Sequence, residues 1–341
     1  MDKIYNKTYI IAEVGVNHNG DSKIAKELIK EAKNAGADCV KFQTFKAEQI
    51  VTKTSPKAKY QLDVTDKTES QFDMLKKLEL EFDVYTDLIN YCKEINIDFL
   101  STPYNKEDLD FLEKLDVDCY KIASGQLTEL PFLRYVAKTN KRILLSTGMG
   151  TLADVYNGVE AIRAEGNNDI VVLQCTTNYP SKIEDANILS MNSIKTACNV
   201  NVGYSDHVTN NYACFAAVAL GAEIIEKHFT LDKEMEGPDH SCSLTPDEFK
   251  VMVNGIRDIE KALGSSVKKP SQIEVENSLG MKRGMVIILP LEKGTVLTEM
   301  HIGFKRPLKG IPINMLNDVL GKRVSKDMTI DEILDYNCIE W

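Results

Sequence analysis

The sequence predicts a (β/α)₈ barrel followed by a small β-rich domain. The 341 residues exceed the ~250 that are typical of one such barrel. Eight short apolar runs alternate with amphipathic stretches through the first two-thirds of the chain, a pattern typical of a parallel sheet wrapped by helices. From about residue 283 the pattern changes to short β-type runs separated by glycine and proline turns. The length and the pattern therefore indicate one barrel and one small extra domain.

The eight apolar runs are continuous rather than alternating, as expected for strands that are buried on both faces. They lie at residues 9–14, 39–44, 97–102, 119–124, 142–147, 170–176, 199–204 and 223–229. Between the first two runs, Ile24, Leu28, Ile29 and Ala32 have helical spacing, and Gly36 provides a C-cap before the next strand. Eight such units favour a closed barrel, with a doubly wound open sheet as the alternative.

Three segments outside the repeating units indicate the domain organisation. The connection after the second strand, residues 46–69, is long and charged, which is typical of a functional lid or a disordered loop. A helix at 246–263 ends a barrel domain of residues 1–263, and the polar stretch 264–282 predicts a linker. Residues 283–341, with a short helix at about 313–320, form the small domain. A domain of this size lies near the lower limit for independent stability, so we expect it to pack on something else.

Composition excludes several classes of function. A hydrophobic content of 43% is enough for a large core, and a formal net charge of −10 argues against nucleic acid or an anionic membrane as partner. No apolar run is long enough to span a bilayer, and the N-terminus lacks a signal sequence. The eight cysteines form no CxxC pair, which indicates reduced thiols and a cytoplasmic protein. Cys39, Cys119 and Cys175 lie in predicted strands, where a thiol behaves as a small hydrophobe.

Polar residues stand at the carboxyl ends of strands that otherwise resemble core, which is the edge where barrel enzymes build their active sites. They are Glu13, Lys41, Gln43, Thr102, Lys121, Ser124, Ser146, Thr177, Ser205, His207 and His228. A barrel strand needs no polar residue to fold, and a buried unpaired lysine is costly. Two lysines beside several hydroxyl groups suit a phosphate plus a carboxylate, and therefore a phosphorylated keto-acid or enol-acid. Lys121 and Ser124 do not share a strand face, so one of them must lie beyond the strand end.

His207 and His228 end the seventh and eighth strands, which are neighbours in a barrel. Two imidazoles in this arrangement can share one divalent ion and leave positions open for water and substrate. No CxxC or HExxH motif accompanies them, which argues against a structural zinc site. A structural role for each histidine is the alternative. His18 and His240 lie on the same rim as further candidates.

Nine motifs in order connect these residues to a known family. They are AEVGVNHNG (12–20), VKFQTFKAE (40–48), STPYN (101–105), YKIASG (120–125), STGM (146–149), GYSDH (203–207), EKHFTLDK (226–233), GPDHS (237–241) and FKRP (304–307). The chain resembles the sialic acid synthase family, including relatives that make legionaminic and pseudaminic acids. The small domain resembles the antifreeze-like (SAF) module of that family. The resemblance implies condensation of phosphoenolpyruvate with N-acetylmannosamine or its 2,4-diacetamido-2,4,6-trideoxy analogue, with release of phosphate.

The resemblance also implies roles for individual residues. Phosphoenolpyruvate is expected at Lys41, Thr102, Lys121, Ser124, Ser146, Ser205 and His207, and the sugar at Gln43, Gln126, Tyr179 and Asp239. Gln61 and Thr177 are further expected substrate-binding residues. His207 and His228 fall on the metal ligands, with Mn²⁺ expected and Mg²⁺ or Co²⁺ as alternatives. Glu13 falls on the proposed acid/base. Arg306 falls on an arginine that one subunit lends to its neighbour, which implies a domain-swapped homodimer.

Two positions depart from the family pattern, and other functions stay open. Gln126 replaces an acidic residue and Thr177 replaces an asparagine of some members, and the Gln126 amide could suit an acetamido group at C4 of the sugar. One alternative is another phosphoenolpyruvate-dependent aldose condensing enzyme, of the pseudaminate or deoxy-octulosonate phosphate type. The latter takes a phosphorylated sugar and should need further Arg or Lys. Another alternative is an inactive barrel with a carbohydrate-binding C-terminal module.

Overall fold

The computed structural model describes residues 7–341, apart from the side chains of residues 63 and 64. The chain forms two compact units, of which the first ends at Gly264 and the second is Ser265–Trp341. The division falls at the start of the stretch 264–282, for which the sequence predicts a linker. The structure differs there, because residues 272–281 form a regular helix.

The first unit is a closed barrel of eight parallel strands in sequence order. The strands are β1 (Tyr9–Gly15), β2 (Cys39–Thr44), β3 (Asp98–Pro103), β4 (Cys119–Ile122), β5 (Arg142–Ser146), β6 (Ile170–Cys175), β7 (Asn201–Asp206) and β8 (Ile224–His228). Strand β1 pairs with both β2 and β8, so the sheet has no open edge. The predicted barrel is confirmed, and the open-sheet alternative is wrong.

Helices surround the barrel and connect its strands. They are α1 (Ser22–Asn34), α2 (Ala47–Ile50), α3 (Lys59–Val64), α4 (Gln71–Lys77), α5 (Phe82–Ile95), α6 (Lys106–Lys114), α7 (Leu130–Ala137), α8 (Leu152–Arg163), α9 (Ser190–Cys198), α10 (Tyr212–Ala219) and α11 (Pro246–Leu263). Helix α1 shows why they form: Asp21 caps its first turn by accepting from the backbone N–H groups of Lys23 and Ile24. After its last turn, Gly36 adopts φ +93°, so the predicted C-cap glycine is confirmed.

The barrel interior changes character along its axis. Its amino-terminal part is an apolar layer of Ile11, Cys39, Leu100, Leu144, Val171, Leu173 and Ile224. Gly203 contributes to this layer by its lack of a side chain, because a Cβ there would lie 2.6 Å from the Ile224 carbonyl oxygen and the Leu173 side chain. The apolar layer closes one end of the barrel, so a ligand can enter only from the carboxyl ends of the strands.

The connection after β2 is ordered and carries three short helices, α2 to α4. This segment, residues 46–77, is called the lid below. Phe45, Met74 and Leu78 pack with Val16 into a small separate core. The buried ammonium group of Lys57 donates to the Thr65 hydroxyl at 2.9 Å and the Asp66 carbonyl at 2.7 Å. Of the two predicted forms of this connection, the structure has the ordered one.

The second unit has its own core. It contains α12 (Gln272–Met281), β9 (Gly284–Ile287), β10 (Ile302–Lys305), α13 (Leu316–Val319), β11 (Arg323–Val324) and β12 (Ile339–Glu340). Strand β9 pairs antiparallel with β10, and β11 with β12. A separate apolar cluster that includes Met285, Ile287, Leu297, Ile311 and Leu334 fills its interior. Over the described part of the chain, no helix is both long and apolar enough to cross a membrane.

Candidate active site

A cavity opens at the carboxyl ends of the barrel strands, and it is called the active-site cavity below. It is lined by predicted residues Glu13, Lys41, Gln43, Gln61, Thr102, Lys121, Ser124, Ser146, Tyr179, Ser205, His207, His228 and Asp239. The parallel register explains this convergence, because Glu13 lies level with Lys41 on one side and with His228 on the other. Lys121 is on β4, while Ser124 follows the strand end in a 3₁₀ turn, as the alternation of faces predicts.

Four buried charges alternate in sign at the base of the cavity. The Lys41 Nζ lies 2.7 Å from Glu13 Oε2 and 3.9 Å from Glu226 Oε2, and the Lys121 Nζ lies 3.2 Å from Glu226 Oε1. All four side chains are at most 5% exposed. Two lysines that are this deeply buried need counter-charges, and the carboxylates of Glu13 and Glu226 provide them. An anionic ligand would meet both cations at close range.

The two carboxyl groups differ in their proton affinity. Burial raises the pKa of Glu13 even though the Lys41 ammonium group opposes this. Burial also acts on Glu226, but Lys121 and Lys41 outweigh it and hold the pKa of Glu226 below its usual value. When the pKa values of two neighbouring carboxyl groups shift in opposite directions, the group with the raised pKa is suited to act as acid or base, and the other stays ionised. Glu13 is therefore suited to proton transfer, while Glu226 balances the lysines.

Three hydroxyl groups lie at or near the cavity wall, and two of them, those of Ser146 and Thr177, lack protein partners. The Ser124 hydroxyl accepts from the Gly148 N–H at 3.0 Å and donates to the Cys175 sulfur at 3.5 Å. The Ser146 and Thr177 hydroxyl oxygens are buried and have no hydrogen-bond partner. Buried polar atoms are nearly always satisfied in folded proteins. Ser146, which lines the cavity, is consequently suited to bind an oxygen of a ligand.

Gly148 has no side chain, and this leaves space for the hydroxyl groups of Ser124 and Thr177. A Cβ at Gly148 would lie 2.0 Å from the Thr177 hydroxyl and 2.8 Å from the Ser124 hydroxyl. We expect Gly148→Ala to displace both hydroxyls and to raise the KM for the anionic substrate at least about 10-fold, the cost of one lost hydrogen bond to a charged group. Gly125→Ala is the matched control, because nothing lies within 4 Å of its Cβ position. Steady-state kinetics test this, and an unchanged KM in Gly148→Ala would contradict it.

The two strand-end histidines face each other in a geometry that fits a shared metal. Their ring centroids are 5.2 Å apart. The His207 Nδ1 lies 2.7 Å from the Thr176 carbonyl oxygen, which accepts its proton and leaves Nε2 as the ring nitrogen that is available to a metal. The His228 Nδ1 is buried without a hydrogen-bond partner, 3.9 Å from Asp239 Oδ2. Burial holds the pKa of His228 well below its usual value, so the ring is neutral, as a metal ligand must be.

The donor set suits an open site rather than a closed cage. Within residues 7–341, no three His, Cys, Asp or Glu side chains are arranged as a complete metal-binding group. A divalent ion held by the two imidazoles alone would have further coordination positions for water and substrate. Burial, with Glu13 as the next cause, raises the pKa of Asp239 to about 7, so this carboxyl group is suited to donate or accept a hydrogen bond near neutral pH.

An aromatic wall and the lid enclose the outer part of the cavity. Tyr179 lies 4.1 Å from His207 and 4.8 Å from Tyr60 of α3, measured between ring centroids. The Tyr104 hydroxyl donates to Gln43 Oε1 at 3.1 Å, and the Gln43 amide donates to Glu13 Oε1 at 3.0 Å. The lid adds the apolar side chains of Ile50, Val51, Met74 and Leu75. The outer part is consequently less polar than the base.

Three predicted site residues do not line the cavity. The Gln126 amide accepts from the Ala123 N–H and donates to the carbonyl oxygens of Pro103 and Tyr104. The local backbone therefore uses both ends of the Gln126 amide in this structure. Thr177 stands behind the lining beside Gly148. Arg306 belongs to the second unit, where its Nε donates to the Met281 carbonyl at 2.9 Å.

Several lining residues were not among the predicted site residues. They are Val16, Phe45, Ile50, Val51, Tyr60, Gln71, Met74, Leu75, Tyr104, Ala123, Cys175, Glu226 and Pro238. Glu226 could have been found, because alternation places it on the same strand face as His228. Cys175 was interpreted as a small hydrophobe, but its sulfur accepts from Ser124 and lies 3.9 Å from His207 Nδ1. The lid residues carry no distinguishing signal in the sequence.

His18 and His240 are structural. The His18 Nδ1 accepts from the Gly20 N–H at 3.0 Å, and its ring stacks on Phe42, while the His240 Nδ1 lies 2.7 Å from the Thr230 hydroxyl. Neither residue lines the active-site cavity. Burial lowers the pKa of each to about 4, from an ordinary value of 6.5. Both rings are therefore neutral at neutral pH.

These shifted histidines predict acid sensitivity. Between pH 6.5 and pH 4 the unfolded chain binds protons that the folded chain does not, so their stabilising effect is present above pH 6.5 and is lost on acidification. We expect the Tm to fall over this range, and to fall less steeply in His18→Asn, which keeps an acceptor for Gly20 without the titration. Identical pH profiles of Tm for the two proteins would contradict this.

Comparisons with known proteins agree with this geometry. Residues 28–268 match the NeuB family, and residues 282–340 match the SAF domain. An N,N'-diacetyllegionaminic acid synthase of Campylobacter jejuni is 44% identical over 96% of this chain and 99% of its own length. A pseudaminic acid synthase of the same species is 35% identical over 96% of this chain and 95% of its own length. A crystal structure of an N-acetylneuraminic acid synthetase from Leptospira borgpetersenii superposes with a TM-score of 0.72 at 30% identity, over 80% of this chain and 90% of that chain. The chain belongs to the NeuB family and carries a C-terminal SAF domain.

Proposed function

We propose that this protein condenses phosphoenolpyruvate with the open-chain aldehyde of 2,4-diacetamido-2,4,6-trideoxymannose and releases phosphate to give a legionaminate. N-acetylmannosamine, which would give N-acetylneuraminate, is the second acceptor. One observation carries this proposal. Two buried lysines and the unpartnered Ser146 hydroxyl line the same cavity as two neighbouring histidines.

Phosphoenolpyruvate fits the base of the cavity. Lys41 and Lys121 would bind its phosphate and carboxylate, and the Ser124 and Ser146 hydroxyls would add hydrogen bonds. Glu226 stays ionised between the lysines and keeps both of them charged when the site is empty. Charges fixed in this way need no reorganisation when negative charge shifts toward the leaving phosphate.

The remaining residues suit the chemistry of condensation. A divalent ion held by His207 and His228, with Mn²⁺ as the proposed ion, would polarise the aldehyde oxygen of the sugar. The new C–C bond forms between C3 of phosphoenolpyruvate and the aldehyde carbon, which leaves positive charge at C2. Water adds to C2 and gives one proton to Glu13, while the former aldehyde oxygen takes up a proton to become a hydroxyl group. Phosphate then leaves with the bridging oxygen, as C2 becomes a ketone and the second proton of the water is released. The raised pKa of Glu13 favours this role as base.

The outer part of the cavity supports an uncharged deoxy sugar. Among the described residues that line the whole cavity, the only lysines are Lys41 and Lys121 at its base, and none is an arginine. A phosphorylated acceptor of the deoxy-octulosonate phosphate type would find no further cation there. The apolar lid residues suit a methyl group at C6. The higher identity to a legionaminic acid synthase than to a pseudaminic acid synthase favours the manno over the altro acceptor.

We further propose a homodimer in which the second unit of each subunit contributes Arg306 to the site of the other. Exposed apolar side chains support an interface on the barrel rim, where Met149, Leu189 and Tyr212 are 67–74% exposed. Helix α12 of the second unit buries none of its residues, and Leu279 on it is 65% exposed. The eight free thiols support a location in the cytoplasm.

Complementation tests the shared site. Lys41→Met and Arg306→Ala should each be nearly inactive alone, because each removes a cation from the substrate site. In a mixed dimer, the intact barrel of the Arg306→Ala chain receives the intact arginine of the Lys41→Met chain. We expect refolded mixtures to regain roughly a quarter of wild-type activity, from random pairing of the two chains under closed two-fold symmetry. Mixtures no more active than the separate variants would contradict the shared site.

One experiment tests the proposed reaction and its acceptor. The protein is incubated with phosphoenolpyruvate, Mn²⁺ and, separately, N-acetylmannosamine, its 2,4-diacetamido-6-deoxy analogue and the altrose isomer. Phosphate release and the mass of the nine-carbon product are measured. We expect the highest kcat/KM with the 2,4-diacetamido mannose derivative. No product with any of the three sugars would support the inactive-barrel alternative instead.

A further inference from the structure

The two histidine motifs share a feature that the proposed reaction does not use. In each, a charged residue directly precedes the histidine, Asp206 before His207 and Lys227 before His228. Because strand side chains alternate, these two point to the outside of the barrel while the histidines point into the cavity. The Lys227 Nζ lies 2.6 Å from Asp206 Oδ2, and both side chains are 0% exposed. A completely buried ion pair therefore lies directly behind the histidine pair.

The ion pair connects β8 to both sides of His207. Asp206 Oδ1 accepts from the Tyr204 hydroxyl at 2.8 Å and the Val208 N–H at 2.9 Å. The Lys227 ammonium group also donates to the carbonyl oxygens of Val208 and Asn210, the latter at 3.1 Å. Residues before and after His207 are thus fixed to the residue before His228.

The ladder between β7 and β8 does not include the two histidines. The last paired residues of β7 and β8 are Asp206 and Lys227, so His207 lies beyond that ladder. His228 still pairs with Glu13 of β1, so the direct connection between the two histidine strands at this level comes from the Asp206–Lys227 side chains. A gain in stability is a weak explanation for such a pair, because well-packed apolar residues in place of a buried ion pair are often neutral or stabilising.

We propose that the Asp206–Lys227 pair is a positioning device that holds His207 and His228 at the separation needed to share one divalent ion. This inference rests on the proposed function, which places the metal at these histidines. Residues behind metal ligands commonly act in this way, and their loss typically weakens metal binding 10–100-fold.

The test replaces the whole pair, so that no unpaired charge is left behind. We expect the double variant Asp206→Leu/Lys227→Met to fold with a Tm near that of the wild type. It should bind Mn²⁺ about 10–100-fold more weakly. The affinity is measured from the electron paramagnetic resonance signal of free Mn²⁺. Activity should be low at limiting Mn²⁺ and recover at saturating Mn²⁺, which a general packing defect would not produce. If this variant does not fold, Asp206→Asn with Lys227→Gln is measured by the same criterion.

The matched control is an ion pair at the other end of the barrel. Arg257 Nη2 lies 2.9 Å from Asp38 Oδ2, and Arg257→Met with Asp38→Leu should leave Mn²⁺ affinity unchanged. Wild-type affinity in the folded Asp206→Leu/Lys227→Met protein overturns the positioning role and leaves the proposed function intact. Failure of the wild type to bind Mn²⁺ overturns the metal proposal and this inference together.

Discussion

Replacement of Lys41 by methionine is expected to lower kcat/KM for phosphoenolpyruvate about 10³-fold, the upper range for loss of one preorganised donor. Lys41 contacts both Glu13 and Glu226 and donates to the Thr102 hydroxyl at 3.3 Å, so it has a fixed place in the site. Its removal leaves two buried carboxyl groups with Lys121 as the remaining neighbouring lysine. The phosphate would then meet net negative charge in place of a cation.

The same substitution should destabilise the fold. Removal of one partner of a buried ion pair costs about 3–5 kcal/mol, and proton uptake by Glu13 should reduce the loss at low pH. Glu13→Gln combined with Lys41→Met removes both charges and should recover much of the free energy of unfolding without recovering activity. Denaturant unfolding and steady-state kinetics on the same samples separate the two effects. Near-wild-type kcat/KM in Lys41→Met would contradict the assignment of the substrate phosphate to this lysine.

Removal of the metal is expected to have an effect of similar size. Exhaustive chelation should lower activity about 10³-fold, since Lewis-acid stabilisation supplies several kcal/mol. Mn²⁺ should restore the wild type but not His228→Gln, because this variant removes one of the two imidazoles proposed to hold the ion. His301→Gln, in the second unit, is the control for weak surface binding. Full activity after chelation would remove the metal from the mechanism.

The barrel and the base of the site were predictable because their signals are local. Continuous apolar runs define strands that are buried on both faces, and a lysine such as Lys41 within such a run stands out. Parallel strands then bring their carboxyl ends to one rim, so distant residues such as Lys121 and His228 could be placed together without a structure. For example, the apolar run predicted at residues 39–44 has the same bounds as strand β2 in the structure.

The rest depends on interactions between segments that are far apart in sequence. The alternating charges need Glu226 from β8 between lysines of β2 and β4, and no spacing within the sequence shows this. The sequence also does not show that the Gln126 amide turns back to the carbonyl oxygens of Pro103 and Tyr104. The apolar lid side chains, such as Met74, contribute through a fold that three very short helices build. Short helices of this kind leave little periodicity to detect.

The proposed reaction is a condensation in which phosphate leaves by cleavage of its C–O bond. The most direct measurement uses phosphoenolpyruvate labelled with ¹⁸O at the bridging oxygen, together with the 2,4-diacetamido mannose derivative, and determines both product masses. We expect one labelled phosphate for each nine-carbon product, with no label in that product. Label retained at C2 of the sugar acid, or no nine-carbon product at all, would contradict the claim.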